Sequence, residues 1–135
     1  MKIGLDVHNV ITLYPDIFSL LSKKWTNDGH EIHIVTGQSW DEVKEEVDKA
    51  GVKYDHHFSI VDYHKNIGTE MKQDENGRWW MDSGIWVRSK GEYIRREGIN
   101  LHFDDSLEYA KYVPEDTTYV IVPKKDFCWF EEIVI

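Results

Sequence analysis

Two kinds of hydrophobic pattern alternate along this chain. Short apolar runs predict five strands, at residues 2–7, 30–37, 57–62, 99–106 and 117–123, with a short edge strand at 131–135. Apolar residues spaced three or four apart predict helices at 14–29, 39–51, 90–98 and 106–113. Strands that alternate with helices are typical of βαβ units. The pattern therefore predicts a three-layer, Rossmann-like α/β fold with a mostly parallel sheet of about five strands.

Two of the helices carry an apolar face that we expect to be buried. In helix 14–29 this face comprises Ile17, Leu20, Leu21 and Trp25, and in helix 39–51 it comprises Trp40, Val43, Val47 and Ala50. Ser39, with Glu42 three residues later, matches a capping box at the start of the second helix.

One segment interrupts the alternation of strands and helices. Within residues 67–82, Asn76-Gly77 lies between arms of alternating polar and apolar residues, which predicts a β-hairpin. We therefore expect residues 1–135 to form a single domain with a small hairpin or flap insertion at 63–89. The adjacent Trp79 and Trp80 should face opposite sides of that hairpin.

Composition and charge limit the classes of molecule that the protein is expected to bind. The 135 residues carry a net charge of −9, which argues against binding a nucleic-acid polymer. No apolar run approaches the ~18 residues of a membrane span, and the amino-terminal segment is expected to be a mature strand and not a signal peptide. Cys128 is the only cysteine, which fits a reducing, cytoplasmic location.

Polar residues follow three of the predicted strands. The first strand leads to Asp6, the second to Thr36 and Gly37, and the fourth to Asp104 and Asp105. Lys90 lies near the predicted start of the helix before the fourth strand. Ligands of open parallel sheets bind beyond the carboxyl ends of the strands, so we expect these residues to meet in one crevice.

Such a set suits phosphoryl chemistry. Three close carboxylates repel one another and favour binding of a hard cation such as Mg²⁺, which accepts carboxylates, waters and phosphate oxygens. One Asp can then act as the nucleophile on phosphorus. Lys90, the Thr36 hydroxyl and the Gly37 N–H can stabilise the phosphoryl oxygens.

The motifs resemble those of the haloacid dehalogenase-like (HAD) superfamily. Its first motif, Asp-x-Asp-Gly after an apolar strand, compares with Asp6-Val7-His8-Asn9, and its second, an apolar strand ending in Thr or Ser, with Thr36 of IHIVTG. Its lysine corresponds better to Lys90 than to Lys65, and its acidic pair compares with LHFDD, which ends at Asp105. The order and spacing agree over about residues 1–123.

The resemblance implies a role for each matched residue. Asp6 would be the nucleophile that forms an aspartyl-phosphate and would also bind Mg²⁺, together with the His8 carbonyl oxygen, Asp105, and Asp104 in or just behind the first coordination shell. Thr36, Gly37 and Lys90 would bind the phosphoryl group.

The first motif departs from the family at two positions. Asn9 replaces a glycine, and asparagine is the residue that best tolerates the left-handed backbone expected there. His8 replaces the aspartate that acts as general acid and base, and an imidazole can perform both steps. The alternatives are a weak or differently tuned enzyme, or an inactive module that binds a phosphorylated ligand or a protein partner. A receiver domain is a third possibility, although its lysine normally follows the other residues.

The expected substrate is a phosphorylated small molecule. The short insertion leaves the site largely uncapped, so a homo-oligomer could close it. A tryptophan of the hairpin could stack on a nucleobase, which favours a nucleotide. The histidines at 56, 57, 64 and 102 match no zinc-binding spacing, and we interpret them as surface or core residues.

Overall fold

The computed structural model describes residues 1–124. Its helices are α1 (Pro15–Asn27), α2 (Trp40–Ala50), α3 (Ile60–Ile67) and α4 (Ser83–Glu97), with a 3₁₀ helix at Leu107–Tyr112. Its strands are β1 (Lys2–Leu5), β2 (Glu31–Thr36), β3 (His56–Ser59), β4 (Lys72–Gln73), β5 (Trp79–Trp80), β6 (Leu101–Asp104) and β7 (Thr118–Ile121). Cys128 and the edge strand predicted at 131–135 lie outside the described residues.

Among the described residues, the main sheet has five parallel strands in the order β3-β2-β1-β6-β7. One hydrophobic cluster packs α1 and α2 on one face of the sheet, and a second packs α3 and α4 on the other. This confirms the predicted three-layer, Rossmann-like α/β fold. The central strand, β1, carries Asp6 at its carboxyl end, between the ends of β2 and β6.

The predicted face of α2 is confirmed, whereas that of α1 is wrong in part. Trp40, Val43 and Val47 are buried. In α1, however, Phe18 is buried, whereas Ile17 is 53% and Leu20 71% exposed. The buried face of α1 therefore lies about one residue further round the helix, because Phe18 packs edge-on against Phe103 of β6.

The strand predicted at 57–62 ends three residues early. The chain pairs with β2 only as far as Ser59, and α3 then begins at Ile60. The Ser59 hydroxyl accepts a hydrogen bond from the Asp62 N–H at 3.1 Å and caps α3. The run of Phe58, Ile60 and Val61 is apolar because the strand end and the first helical turn are both buried. A short apolar run in the sequence does not distinguish the end of a strand from the first turn of a helix.

Helix α4 begins at Ser83, seven residues before the predicted start at residue 90. The Asp82 carboxylate caps it by accepting a hydrogen bond from the Ile85 N–H at 3.1 Å. Of the predicted flap at 63–89, the ends therefore belong to α3 and α4, and the hairpin itself comprises only β4 and β5. Lys90 consequently lies in the middle of α4 and not near its start.

The predicted capping box of α2 is wrong. The Ser39 hydroxyl donates to Asp62 Oδ1 at 2.9 Å, and the Trp40 N–H donates to Asp62 Oδ2 at 2.8 Å. A carboxylate from α3 therefore caps α2 from outside.

The predicted helix 106–113 is a 3₁₀ helix at Leu107–Tyr112. Within residues 1–124, no helix combines the length and apolar character that crossing a membrane requires.

Candidate active site

Sheet register places Asp6 beside Asp104. The Asp6 N–H donates to the Phe103 carbonyl oxygen at 3.0 Å, so β1 and β6 remain paired up to the acidic residues. Alternate residues of a strand face the same side. Gly4 of β1 and Asp6 just after it, with His102 and Asp104 of β6, therefore face α4, and the neighbouring Ile3, Leu5 and Phe103 pack towards α1 and α2.

Lys90 enters this acidic pair from α4. Its Nζ lies 2.9 Å from Asp104 Oδ2 and 3.2 Å from Asp6 Oδ1, and its side chain is 3% exposed. The ammonium group also lies 4.6 Å from the centre of the Tyr109 ring. The structure thus brings together the predicted Asp6, Asp104 and Lys90. Lys65, the other candidate, is exposed, and its ammonium group lies over the Trp79 ring.

Asp104 accepts hydrogen bonds from neighbouring residues at both of its carboxylate oxygens. Its Oδ2 accepts hydrogen bonds from Lys90 Nζ at 2.9 Å and His102 Nε2 at 3.0 Å, and its Oδ1 accepts from the Ser106 N–H at 3.1 Å. Both carboxylate oxygens are therefore occupied, which favours Asp104 as the residue that positions Lys90.

His102 is a member of the site that sequence reasoning missed. It is completely buried, and burial lowers its pKa against the opposing effect of Asp104. The neutral ring donates from Nε2 to Asp104, so Nδ1 is a bare acceptor, which has no hydrogen-bond partner among residues 1–124. A Cβ at residue 4 would lie 2.5 Å from this Nδ1. Gly4 therefore makes room for the imidazole, and a glycine in the middle of a buried strand was the available signal.

Asp105 is held by the turn that follows β1. Asn9 Nδ2 donates to Asp105 Oδ2 at 3.1 Å. Asn9 has φ of +63°, the left-handed conformation predicted for this position, and its N–H donates to Thr12 Oγ1 at 3.0 Å. Asn9 thus fixes the backbone turn and also orients a carboxylate across the site, which glycine cannot do.

Burial and neighbouring charges shift the pKa values of the three ionisable groups of the site differently. Burial raises the pKa of the Asp6 carboxyl to about 7; Lys90 opposes this rise, and Asp104 adds to it. Burial also acts to raise the pKa of Asp104, but the His102 hydrogen bond and the Lys90 charge hold it well below its usual range. Burial acts to lower the pKa of Lys90, but Asp6 and Asp104 together raise it above its usual value. Lys90 therefore neutralises Asp104 first, and Asp6 is the carboxyl that titrates.

The donor set fits a hard divalent cation. One oxygen each from Asp6, Asp104 and Asp105 lie within 4.8 Å of one another. Asp104 has both oxygens engaged, whereas Asp105 is half-buried and accepts the Asn9 hydrogen bond at one oxygen. Of the three carboxylates, Asp6 and Asp105 therefore have more freedom than Asp104 to bind such a cation, which needs few protein ligands when it keeps several waters.

Thr36 and Gly37 end the neighbouring strand, β2. Thr36 is 1% exposed, and the Gly37 carbonyl accepts a hydrogen bond from the Val61 N–H at 3.2 Å. A Cβ on residue 37 would lie 2.7 Å from the Trp86 ring. Trp86 donates from Nε1 to the Tyr109 hydroxyl at 3.0 Å. Glycine at 37 is therefore required by the close approach of an indole from α4.

The His8 side chain contacts α2. Its Nε2 lies 3.2 Å from Glu46 Oε2, and the two side chains are 41% and 48% exposed. Sequence reasoning did not single out Glu46, because only the fold brings α2 against the turn after β1.

A groove opens at the amino-terminal end of α4. It has a volume of about 380 Å³, and its lining includes Thr69, Met71, Trp80 and Ile85. Trp80 is 56% exposed and donates from Nε1 to Asp74 at 2.9 Å, whereas Trp79 lies under the Lys65 ammonium group. The two indoles thus have the different environments expected for neighbours in a strand.

No protein-family model matches this sequence, and no curated protein matches it significantly.

Proposed function

We propose that this protein is a Mg²⁺-dependent phosphohydrolase that acts through an aspartyl-phosphate on a phosphorylated small molecule. The observation that carries the proposal is the contact of Lys90 Nζ with both Asp6 and Asp104, at 3.2 and 2.9 Å, beside the half-buried Asp105. A buried carboxylate, a fixed cation and an adjacent acidic pair are the components that phosphoryl transfer needs.

Asp6 supplies the nucleophile. Its carboxylate oxygen attacks phosphorus, the bond to the leaving oxygen breaks, and the leaving oxygen takes a proton from His8. A water molecule then loses a proton to His8 and attacks the aspartyl-phosphate, which releases phosphate and restores Asp6. Lys90 offsets the negative charge of the phosphoryl oxygens on the side facing α4.

Mg²⁺, when held by Asp6, Asp105 and the His8 carbonyl oxygen, supplies positive charge that neutralises the phosphoryl oxygens. Asp104 keeps Lys90 beside Asp6 through its hydrogen bond at 2.9 Å. Thr36 Oγ and the Gly37 N–H complete the phosphoryl site from the adjacent strand. The full occupancy of both Asp104 oxygens supports this division of roles.

His8 is the proposed general acid and base, and Glu46 is its positioning residue. The Glu46 carboxylate lies 3.2 Å from His8 Nε2, on the α2 side of the ring. It holds the ring in one orientation, as a carboxylate orients the histidine of a hydrolytic triad.

The substrate we propose is a nucleoside monophosphate. Asp82, at the groove, and Lys90 are eight residues apart on α4, which corresponds to about 12 Å along the helix axis. A phosphate at Lys90 thus leaves room for a sugar and base directed towards the exposed Trp80 indole, which offers a stacking surface. We also propose that a second copy of the chain could cover this open side.

A phosphatase assay on the wild type, Asp6→Asn and His8→Asp, with and without Mg²⁺, tests the proposal. We expect Mg²⁺-dependent release of phosphate from an aryl phosphate and from nucleoside monophosphates, lost in Asp6→Asn. Trp80→Ala should raise KM for nucleotides and leave KM for the aryl phosphate unchanged, and Trp79→Ala is the matched control. Absence of turnover on all substrates would refute hydrolase activity.

The second candidate function is a catalytically weak or inactive module that binds a phosphorylated ligand or a protein partner. The exposed Trp80 indole beside the groove favours it, because an exposed aromatic side chain offers a binding surface that needs no catalytic group. This alternative predicts binding of phosphate or nucleotide without turnover in the wild type, and a gain of turnover in His8→Asp. Equal activity of the wild type and His8→Asp would contradict it.

A further inference from the structure

A second cluster of metal-binding side chains lies at the opposite end of the sheet from Asp6. Glu31 and His33 are two residues apart on β2 and so face the same side. His56 begins β3 and is the direct cross-strand partner of His33 in the sheet register. Glu31 and Thr36 are five positions apart on β2, which corresponds to about 17 Å along the strand. The cluster is therefore separate from the candidate active site.

The donor atoms converge on one point. Glu31 Oε1 lies 2.7 Å from His33 Nε2 and 3.3 Å from His56 Nε2. All three atoms lie within 4.8 Å of one another. Tetrahedral Zn²⁺ sites, with metal–ligand distances near 2.05 Å, separate neighbouring donors by about 3.4 Å. Only small side-chain rotations are needed to reach this arrangement.

The least adaptable of the three ligands is already oriented. His33 is 1% exposed, and its Nδ1 lies 2.7 Å from the Tyr93 hydroxyl of α4. A histidine that binds metal through Nε2 characteristically donates its other N–H to such an oxygen, which fixes the ring and its tautomer. Glu31 and His56, by contrast, are partly exposed side chains that can rotate to a metal entering from solvent.

We propose that Glu31, His33 and His56 bind a divalent transition-metal ion of the zinc type, with water in the fourth position. Two imidazoles and one carboxylate are ligands that Zn²⁺ accepts readily, whereas Mg²⁺ prefers oxygen ligands alone. The ion links the edge strand β3 to β2, so it stabilises the edge of the sheet. This site is independent of the proposed phosphohydrolase activity.

Titration calorimetry with Zn²⁺ as the titrant, in a buffer that contains excess Mg²⁺ to occupy the acidic site, tests the proposal. We expect one Zn²⁺ per chain, with affinity at least 10-fold lower in His56→Ala and in Glu31→Gln. Both positions are partly exposed, so these variants keep the buried core. Tyr93→Phe, which removes the oxygen next to His33, should weaken binding about 10-fold.

His57→Ala is the matched control. His57 is the next residue of β3, but its ring faces the other side of the sheet and stacks on Trp40 at 4.0 Å. We expect His57→Ala and Asp105→Asn to bind Zn²⁺ as the wild type does. Absence of Zn²⁺ binding by the wild type, unchanged affinity in His56→Ala, or loss of binding in Asp105→Asn would each overturn the proposal.

Discussion

Lys90 Nζ lies 3.2 Å from Asp6 Oδ1, and their side chains are only 3% and 9% exposed. The cation reaches the end of the central strand from the middle of α4, and the shorter contact at 2.9 Å with Asp104 holds it there. One buried lysine therefore links the proposed nucleophile to the acidic pair of β6.

Lys90→Ala is expected to destabilise the fold. It leaves the Asp104 carboxylate, which is 0% exposed, without its cation. Breaking a buried ion pair costs about 3–5 kcal/mol, so urea unfolding should show a loss of that order. Lys65→Ala, the control, removes the contact of an exposed lysine with Trp79 and should cost no more than about 1 kcal/mol. Equal losses in the two variants would contradict this account of Lys90.

Mg²⁺ affinity is expected to depend on pH through Asp6. Burial raises the pKa of Asp6 to about 7, so below that pH the metal must displace a proton. Affinity should therefore rise up to a pH of about 7 and then level off. Calorimetry in two buffers of different ionisation enthalpy counts the released protons. A constant affinity across this range would show that Asp6 is ionised before the metal binds.

The same titration changes the stability of the metal-free protein. The folded-state pKa of Asp6 is raised above 3.8, so the protonated carboxyl contributes to the free energy of unfolding. This stabilising contribution is fully present below a pH of 3.8 and is lost as pH rises through about 7. Mg²⁺ should therefore raise the melting temperature more at a pH of about 8 than at about 6. A larger stabilisation by Mg²⁺ at the lower pH would contradict this sign.

Glu46→Gln is expected to reduce catalysis without weakening substrate binding. It removes the carboxylate 3.2 Å from His8 Nε2 but keeps the size of the side chain. Since general acid–base catalysis contributes ~10²- to 10⁴-fold, loss of the positioning carboxylate should lower kcat about 10-fold with KM unchanged. Glu45→Gln is the control, because Glu45 pairs with the exposed Lys49. A change in KM alone would show that Glu46 contacts the substrate.

Gly37→Ala should destabilise the fold in a way that depends on Trp86. The new Cβ would lie 2.7 Å from the indole ring, and overpacking of this kind costs about 1–3 kcal/mol. Gly37 does not have a positive φ angle, so alanine is compatible with its backbone conformation and the expected effect is steric. In a Trp86→Ala background the same substitution should be nearly neutral. Additive losses in this double-mutant cycle would contradict contact between the two residues.

Local signals in the sequence predicted most of the fold. Strand and helix periodicity gave the alternating order, because each element has to bury one face of its own. The prediction was wrong where one apolar run served two elements, at Ser59–Ile60, and where the helix start depended on a cap, at Asp82. Asp62 caps α2 from another helix, a contact that local sequence does not reveal.

The sequence by itself determined the parallel α/β arrangement and the positions of Asp6, Asp104 and Asp105 at strand ends, since these depend on residue order and strand periodicity. Only the tertiary structure decided which further side chains meet: His102 at Asp104, Glu46 at His8, and, at the other end of the sheet, His56 at His33. The physical reason is that strand register and helix packing set distances between residues far apart in the chain. Those distances depend on the whole core and not on any local pattern.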